Sequence, residues 1–281
     1  MLSFRLMKPE DEAFWISLTN SVGWGMTSND FERIIRFSPN GCFIAKLDET
    51  DIGCVATTNY GKVAWIGNLV VLKEFRGKGY GEALMMNSMN YLKRKGVQTI
   101  RLDSVPKAVN LYKRLGFKEE YWSLRYTGEA VKHDVKNIIR MLAGDIDEVC
   151  GLDEMYFKLK RRKLLEYVYS NFPELCFTAW KGGKLEGYIM AKKGADIVKI
   201  GPWVVNPGKV DVAEELLHSV MNETLGKRIW VGCPEDNYMS VSILTRNGFE
   251  SLPSSLRMYY GKPTLHEKPE GIFGLGGPDK G

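Results

Sequence analysis

The sequence lacks the features that mark several large classes of protein. Its 281 residues contain no apolar run long enough to cross a bilayer, so no membrane-spanning helix is predicted. The five cysteines are scattered and never form a CxxC pair, and the three histidines show no metal-ligand spacing. We therefore predict neither a disulfide framework nor a metal site, and the natural setting is a reducing cytoplasm.

The sequence also lacks a large excess of charge of either sign. Lys and Arg number 39 against 34 Asp and Glu, which gives a net charge of +5. The densest basic run, KLKRRK at 158–163, has no interleaved aromatic residues that could stack on bases. A solvated helix face explains that run, and we predict no nucleic-acid partner. The slight positive bias would still help to attract an anionic ligand.

The sequence repeats itself. FIAKLDETDIGCVAT in the first half aligns with FTAWKGGKLEGYIMA in the second, and WIGNLVV aligns with KIGPWVV through Gly67 and Gly201. The offset is roughly 134 residues at these anchors, and such a fixed spacing indicates duplicated units. We therefore predict two copies of one domain, residues 1–130 and residues 137–281.

Each copy has the pattern of an α/β domain. In the first, predicted helices precede predicted strands, at 10–20 and 28–37 and then at 41–47, 52–59 and 63–72. The helix EALMMNSMNYLKRKG, the strand VQTIRLDSV, the short helix KAVNLYKRLG and the last strand WSLRYTG follow. Strand, glycine-rich turn, helix and strand form a parallel crossover unit. We predict a mixed, twisted sheet flanked by helices in each copy.

The turn EFRGKGYGEAL carries three glycines, Gly77, Gly79 and Gly81, between an apolar strand and a helix. A glycine-rich turn that opens a helix presents backbone N–H groups at the positive end of the helix dipole. Arg76 and Lys78 add charge, so we predict a site for a diphosphate. No Ser or Thr follows a Gly-Lys pair, as a P-loop requires, and no acidic ribose ligand follows at a dinucleotide-fold position.

NLVVLKEFRGKGYGEALM resembles the acetyl-coenzyme A signature of the GNAT (GCN5-related N-acetyltransferase) superfamily, and LYKRLGF resembles its second hallmark. The whole chain is similar to a subset of that family with two tandem GNAT-like domains, through GW, AWIGNLVV, RLDSV, IGPWVV and RMYYG. The resemblance implies an α/β fold with two acyl-CoA N-acyltransferase domains and acetyl-CoA as the cosubstrate.

The resemblance also assigns roles to residues. It implies a coenzyme site of strand residues beside the pantetheine arm and loop residues around the diphosphate, namely Leu69, Val70, Val71, Arg76, Gly77, Lys78, Gly79, Tyr80 and Gly81. Tyr112 corresponds to the general acid that protonates the leaving thiolate, with a core aromatic as the alternative. Many relatives have a Glu on the fourth strand, which this chain lacks. Asp103 is a candidate base, or caps a turn, or no protein base is needed.

The second copy lacks the coenzyme signature. VVNPGKVDVAEEL replaces the glycine-rich turn, and Leu244 stands where Tyr112 stands in the first copy, so we predict one coenzyme site per chain. The segment CPEDN, with Asp236 and Asn237, ends a predicted strand where α/β sites usually open. With Trp24 it is expected to bind the acceptor in a pocket between the domains, unless the second copy is only a scaffold.

Two functions remain open from the sequence. The first is an N-acetyltransferase that moves an acetyl group from acetyl-CoA to a primary amine on a small molecule or peptide. The second is a non-catalytic acyl-CoA-binding sensor, which the missing fourth-strand acid keeps in play. We predict no membrane partner, and a monomer and a homodimer are both compatible with the sequence.

Overall fold

The computed structural model describes residues 1–263 and 267–281, and the chain divides into two compact units. Within the described residues, the first unit comprises residues 1–120, 256–263 and 278–281. The second unit comprises residues 121–255 and 267–277. Each unit therefore takes its chain from more than one stretch of the sequence.

The first repeat begins with five strands and four helices in the predicted order. They are β1 (Leu2–Leu6), α1 (Glu12–Asn20), α2 (Ser28–Phe37), β2 (Phe43–Leu47), β3 (Thr50–Asn59), β4 (Val63–Val71), α3 (Tyr80–Arg94), β5 (Thr99–Ser104) and α4 (Val109–Arg114). Helix α2 begins with a capping box in which Thr27 and Asp30 hydrogen-bond reciprocally. Helix α3 is followed by Gly96, whose φ of 75° gives the left-handed residue that ends a helix.

The last strand of the first repeat comes next, and the second repeat then follows the same order. These elements are β6 (Lys118–Glu129), β7 (Ile138–Arg140), α5 (Ile146–Phe157), α6 (Arg162–Asn171), β8 (Cys176–Lys181), β9 (Lys184–Lys193), β10 (Ile197–Val205), α7 (Val210–Glu223), β11 (Arg228–Pro234), α8 (Tyr238–Arg246), β12 (Glu250–Gly261) and β13 (Ile272–Gly274). Strands β4 and β5 are parallel, as are β10 and β11, whereas their other neighbours are antiparallel. The predicted α/β class with a mixed sheet is confirmed.

The two repeats exchange their last strands. The last strand of each repeat pairs in the unit that the other repeat mainly forms. In the second unit, residues 123–129 of β6 pair with β11. In the first unit, residues 256–261 of β12 pair with β5. The predicted strand WSLRYTG therefore forms, but its partner is β11. Alternation of apolar and polar residues predicts a strand without specifying which edge it joins, so the exchange depends on tertiary structure.

Two apolar layers cover the sheet of the first unit. Helix α3 packs on one face, in a cluster that includes Ala64, Ile66 and Val71 of β4. Helices α1 and α2 pack on the other face, in a cluster that includes Val70. The alternation along β4 changes phase because β4 carries an extra residue at Asn68, whose φ is 53°. This bulge re-aims the end of the strand.

Strands β4 and β5 pair only over their first three residues. Their register covers only Val63 with Thr99 through Trp65 with Arg101. In the described part of the chain β4 continues from 66 to 71 with β3 as its strand partner on one side and no strand on the other. The separation leaves an edge of β4 with main-chain groups available to a ligand.

No helix in the described residues is long and apolar enough to cross a membrane. All five cysteines, each of which is described, carry free thiols, and four of them are buried. Burial raises the pKa of the Cys42 and Cys176 thiols to about 12, so these side chains act as small apolar groups in the core.

Candidate active site

The turn before α3 has a backbone that only glycine adopts easily. Gly77 and Gly79 have φ angles of 78° and 82°, and Gly79 caps the helix. A Cβ added at either position would meet no atom of the protein within 4 Å. Glycine is therefore required there by the backbone conformation and not by crowding, and the space over the turn is open.

The amides of this turn have no protein partner. Within the described residues, the N–H groups from Gly77 to Glu82 donate to no carbonyl or side chain. They lie at the start of a helix of 15 residues, where the helix dipole favours an anion. Open amides, a positive helix end and exposed cations are the groups that a diphosphate needs, so these residues fit the pyrophosphate of coenzyme A.

The turn is tied to the open edge of β4. The Arg76 Nε donates to the main-chain oxygen of Val71 at 2.8 Å, which fixes the turn against the end of the strand. Lys78 is exposed, with its Nζ 5.6 Å from the centre of the Phe75 ring. The structure thus brings together the strand residues and loop residues that the sequence predicts, because the edge beside Leu69 leads into the turn.

Tyr112 lies on α4, partly buried against the α3 face of the first unit. Its ring is 5.9 Å from Phe117 in an edge-on arrangement. Its hydroxyl forms no hydrogen bond with any residue that the structure describes. Burial raises the pKa of Tyr112 to about 12, so the phenol is protonated at neutral pH and can donate a proton. Its role as the general acid stays a prediction.

Asp103 does not cap a turn. Its carboxylate accepts a hydrogen bond of 2.8 Å from the Arg257 Nε, and both side chains are buried. The carboxylate is therefore occupied by a guanidinium in a buried ion pair. Its assignment as the general base stays a prediction, and the ion pair argues for a structural role.

The three predicted acceptor residues lie in different surroundings. Trp24 lies in the loop between α1 and α2, partly buried against their cluster. Asp236 is exposed at the end of β11. Asn237 is buried and caps α8 by accepting from the Ser240 N–H at 2.9 Å, while its amide donates to the Ile272 oxygen at 2.8 Å. Their role with the acceptor stays a prediction.

In the second unit, the edge of β10 that corresponds to the open edge of β4 is closed. Strands β10 and β11 pair only as far as Ile200 and Val231. Beyond that point β13 pairs with β10 at Trp203 and Val204, which align with the predicted pantetheine residues of β4. The turn before α7 has one left-handed glycine, Gly208. A segment of the chain therefore occupies the edge where coenzyme would bind.

Sequence reasoning missed a set of buried charges on the α1–α2 side of the first unit. They are Arg33, Arg101, Arg257, Asp279 and Lys280. The guanidinium carbons of Arg101 and Arg257 lie 5.4 and 5.6 Å, respectively, from the centre of the Trp65 ring. A charged residue within a strand pattern is a weak signal for such a cluster, because its partners are far away in the sequence.

In the described residues, no group of three His, Cys, Asp or Glu side chains could hold a metal ion. His133 and His218 stack on each other with ring centres 3.7 Å apart. The third histidine, His266, lies outside the described residues.

Comparison with protein families gives two matches. The Acetyltransferase (GNAT) family matches residues 11–117, and an Acetyltransferase (GNAT) domain matches residues 149–274. Among curated proteins, the holothin acyltransferase of a Pseudoalteromonas species is 25% identical over 249 residues, which is 87% of this chain and 83% of that protein. An uncharacterized N-acetyltransferase of Methanocaldococcus jannaschii is 31% identical over 100 residues, which is 32% of this chain and 44% of that protein.

Solved structures agree on the fold. A candidate acetyltransferase from Pyrococcus horikoshii superposes with a TM-score of 0.85 at 24% identity, covering 100% of this chain and 96% of its own. A tandem GNAT protein from the clavulanic acid biosynthesis pathway superposes with a TM-score of 0.65 at 14% identity, covering 94% of this chain and 100% of its own. At such identities the likeness concerns architecture.

Proposed function

The chain belongs to the GNAT acetyltransferase superfamily and carries two of its domains in tandem, and from this premise we propose that it transfers an acetyl group from acetyl-CoA to a primary amine. As a member of this family it is an acyltransferase. The observation that carries the proposal is the open glycine turn beside the free edge of β4.

The coenzyme site consists of main-chain groups and two cations. The open amides from Gly77 to Gly81 would hold the diphosphate, and the edge at Leu69–Val71 would pair with the amide groups of the pantetheine arm. Bound acetyl-CoA supplies an acetyl group activated as a thioester. Arg76 and Lys78 favour the anion by charge.

Tyr112 is the proton donor in this proposal. When the amine nitrogen forms the new amide bond and the carbon–sulfur bond breaks, the Tyr112 Oη gives its proton to the sulfur. The amine loses its own proton to water, because Asp103 is held by Arg257 and β4 carries no acid. The acceptor is a small-molecule or peptide amine.

A non-catalytic acyl-CoA sensor is the second candidate, favoured by the ion pair that occupies Asp103. Release of free thiol from acetyl-CoA, measured with and without a panel of small amines and peptides, separates the two. Thiol release that depends on an amine supports the transferase. Binding of acetyl-CoA without release for any amine would support the sensor.

We predict that one chain binds one acetyl-CoA. In the second unit β13 covers the matching edge of β10, and a single left-handed glycine replaces the turn. Titration calorimetry should give a stoichiometry of one, and the Gly79→Val variant should lose that site without revealing another. Two equivalent sites per chain would contradict the prediction.

A further inference from the structure

Residues 279–281 are buried in the first unit, whereas Pro278 beside them is exposed. Asp279 lies against Gly67 of β4. A side chain at position 67 would collide with the Cβ of Asp279, so glycine is required where this segment passes the strand. Gly281 lies against the Trp65 ring. The Tyr60 hydroxyl donates to the Lys280 oxygen at 2.9 Å. We call these four residues the 278–281 segment.

Charge anchors this segment. The Arg33 Nη2 donates to the Asp279 Oδ2, and the Lys280 Nζ donates to the Asp279 Oδ1 at 2.7 Å. Only 3% of the Arg33 side chain and 5% of the Asp279 side chain are exposed. Burial works against the charge of Arg33, yet the carboxylates of Asp279 and Asp30 raise its pKa. The pair is therefore charged and desolvated.

The segment lies next to the predicted coenzyme edge. Gly67 is two residues before Leu69, so Asp279 lies about 7 Å along β4 from the first residue expected to contact pantetheine. The bulge at Asn68 stands between them. By the alternation along β4, Gly67 faces the α1–α2 side, whereas Ala64 and Ile66 face α3.

Several buried polar atoms around this point have no hydrogen-bond partner. They are Arg33 Nε, Arg33 Nη1, Trp65 Nε1 and Asn68 Oδ1. Buried polar atoms are nearly always paired, so a cluster of unpaired ones indicates a place that a ligand or water completes. These four atoms are therefore candidate hydrogen-bonding groups for a ligand or water.

We propose that the 278–281 segment is a fixed wall on the acceptor side of the active site of the first unit, and that Arg33 and Asp279 are positioning residues that hold it. The proposal rests on the proposed acetyl transfer, because it assigns the amine to this side of β4. Gly67 has no side chain, so the segment forms the surface beside β4 at this point.

Buried charge explains why the wall is fixed. If the segment left, Arg33 would lose its hydrogen-bonded carboxylate and keep only the nearby charge of Asp30, and breaking a buried ion pair by removing one partner is strongly unfavourable. The segment therefore stays in place during turnover, and the amine is positioned against it. A fixed wall differs in this respect from a plug, because a plug would have to leave the site before the amine enters.

Deletion of residues 278–281 tests the proposal. We expect kcat/KM for the best amine to fall by roughly ten- to a hundredfold, because a misplaced acceptor costs about this much in rate. The Kd for acetyl-CoA should be unchanged, since the turn and the β4 edge remain. Arg33→Met in the full chain should give a similar loss, whereas Arg33→Lys, which keeps a cation opposite Asp279, should retain most activity.

A second variant guards against unfolding. Arg33→Met combined with the deletion removes both charges, and it should show the same loss as the deletion alone. Arg36→Met, an exposed arginine on the same helix α2, is the matched control and should leave kcat/KM unchanged. Unchanged or increased kcat/KM in the deletion variants would overturn the proposal, as would loss of coenzyme binding.

The result is distinguishable from a failure of the proposed function. If the unaltered chain binds acetyl-CoA but releases no thiol with any amine, the acetyl transfer itself is refuted, and the wall with it. If the unaltered chain is active and the deletion variants match it, only the wall is refuted.

Discussion

Gly79→Val is expected to raise the Kd for acetyl-CoA by about a hundred- to a thousandfold. Gly79 has a φ of 82°, which a β-branched residue reaches only with strain of about 1–3 kcal/mol. The backbone would turn away, and each charge-assisted hydrogen bond lost from the loop amides costs roughly 1.5–3 kcal/mol. Titration calorimetry measures the change.

The chain offers matched controls for this variant. Gly96 lies after the other end of α3 with a φ of 75° and open space around it, so Gly96→Val carries the same strain away from the site. It should leave the Kd unchanged. Gly81→Ala meets only Val71, at 3.8 Å, so it should fold normally and still weaken coenzyme binding. Equal losses from Gly79→Val and Gly96→Val would show that strain alone matters.

Tyr112→Phe is expected to lower kcat by roughly ten- to a thousandfold, the usual range for loss of a general acid. The Kd for acetyl-CoA should barely change, because the hydroxyl acts in the transition state. Phenylalanine keeps the edge-on contact with Phe117, so the fold should be preserved. Steady-state kinetics and calorimetry on the same preparation separate the two effects.

Tyr91→Phe is the matched control, since Tyr91 packs against the same cluster from α3. It should leave kcat unchanged. Burial raises the pKa of Tyr112 to about 12, so the phenol is almost fully protonated between pH 7 and pH 10 and kcat should show no loss from its deprotonation in that range. Unaltered turnover in Tyr112→Phe would reduce Tyr112 to a packing residue.

Local patterns predicted the helices, the strands and the coenzyme turn. The spacing of Gly77 and Gly79 predicts a left-handed turn at the start of a helix, and both residues adopt it. The repeat predicted two α/β domains, and both halves match the same superfamily. The single glycine before α7 predicted a degenerate second copy, and β13 on the edge of β10 supports that prediction without testing it.

Pairing between distant segments could not be predicted in this way. The exchange of β6 and β12 depends on which strand edges are free once the sheets have formed, and a strand pattern does not name its partner. The acceptor residues proposed from sequence, Trp24, Asp236 and Asn237, were chosen by residue type and strand end. The buried charges beside β4 carried no such signal.

The sequence by itself determined the fold class, the duplication and the glycine turn, because each is a matter of residues close together in the chain. Tertiary structure alone decided the environment of the 278–281 segment beside β4. Arg33 and Asp279 are 246 residues apart in sequence, and neither residue type is expected in a core. They are buried there because each neutralises the other, and that compensation exists only after the 278–281 segment has docked beside Gly67.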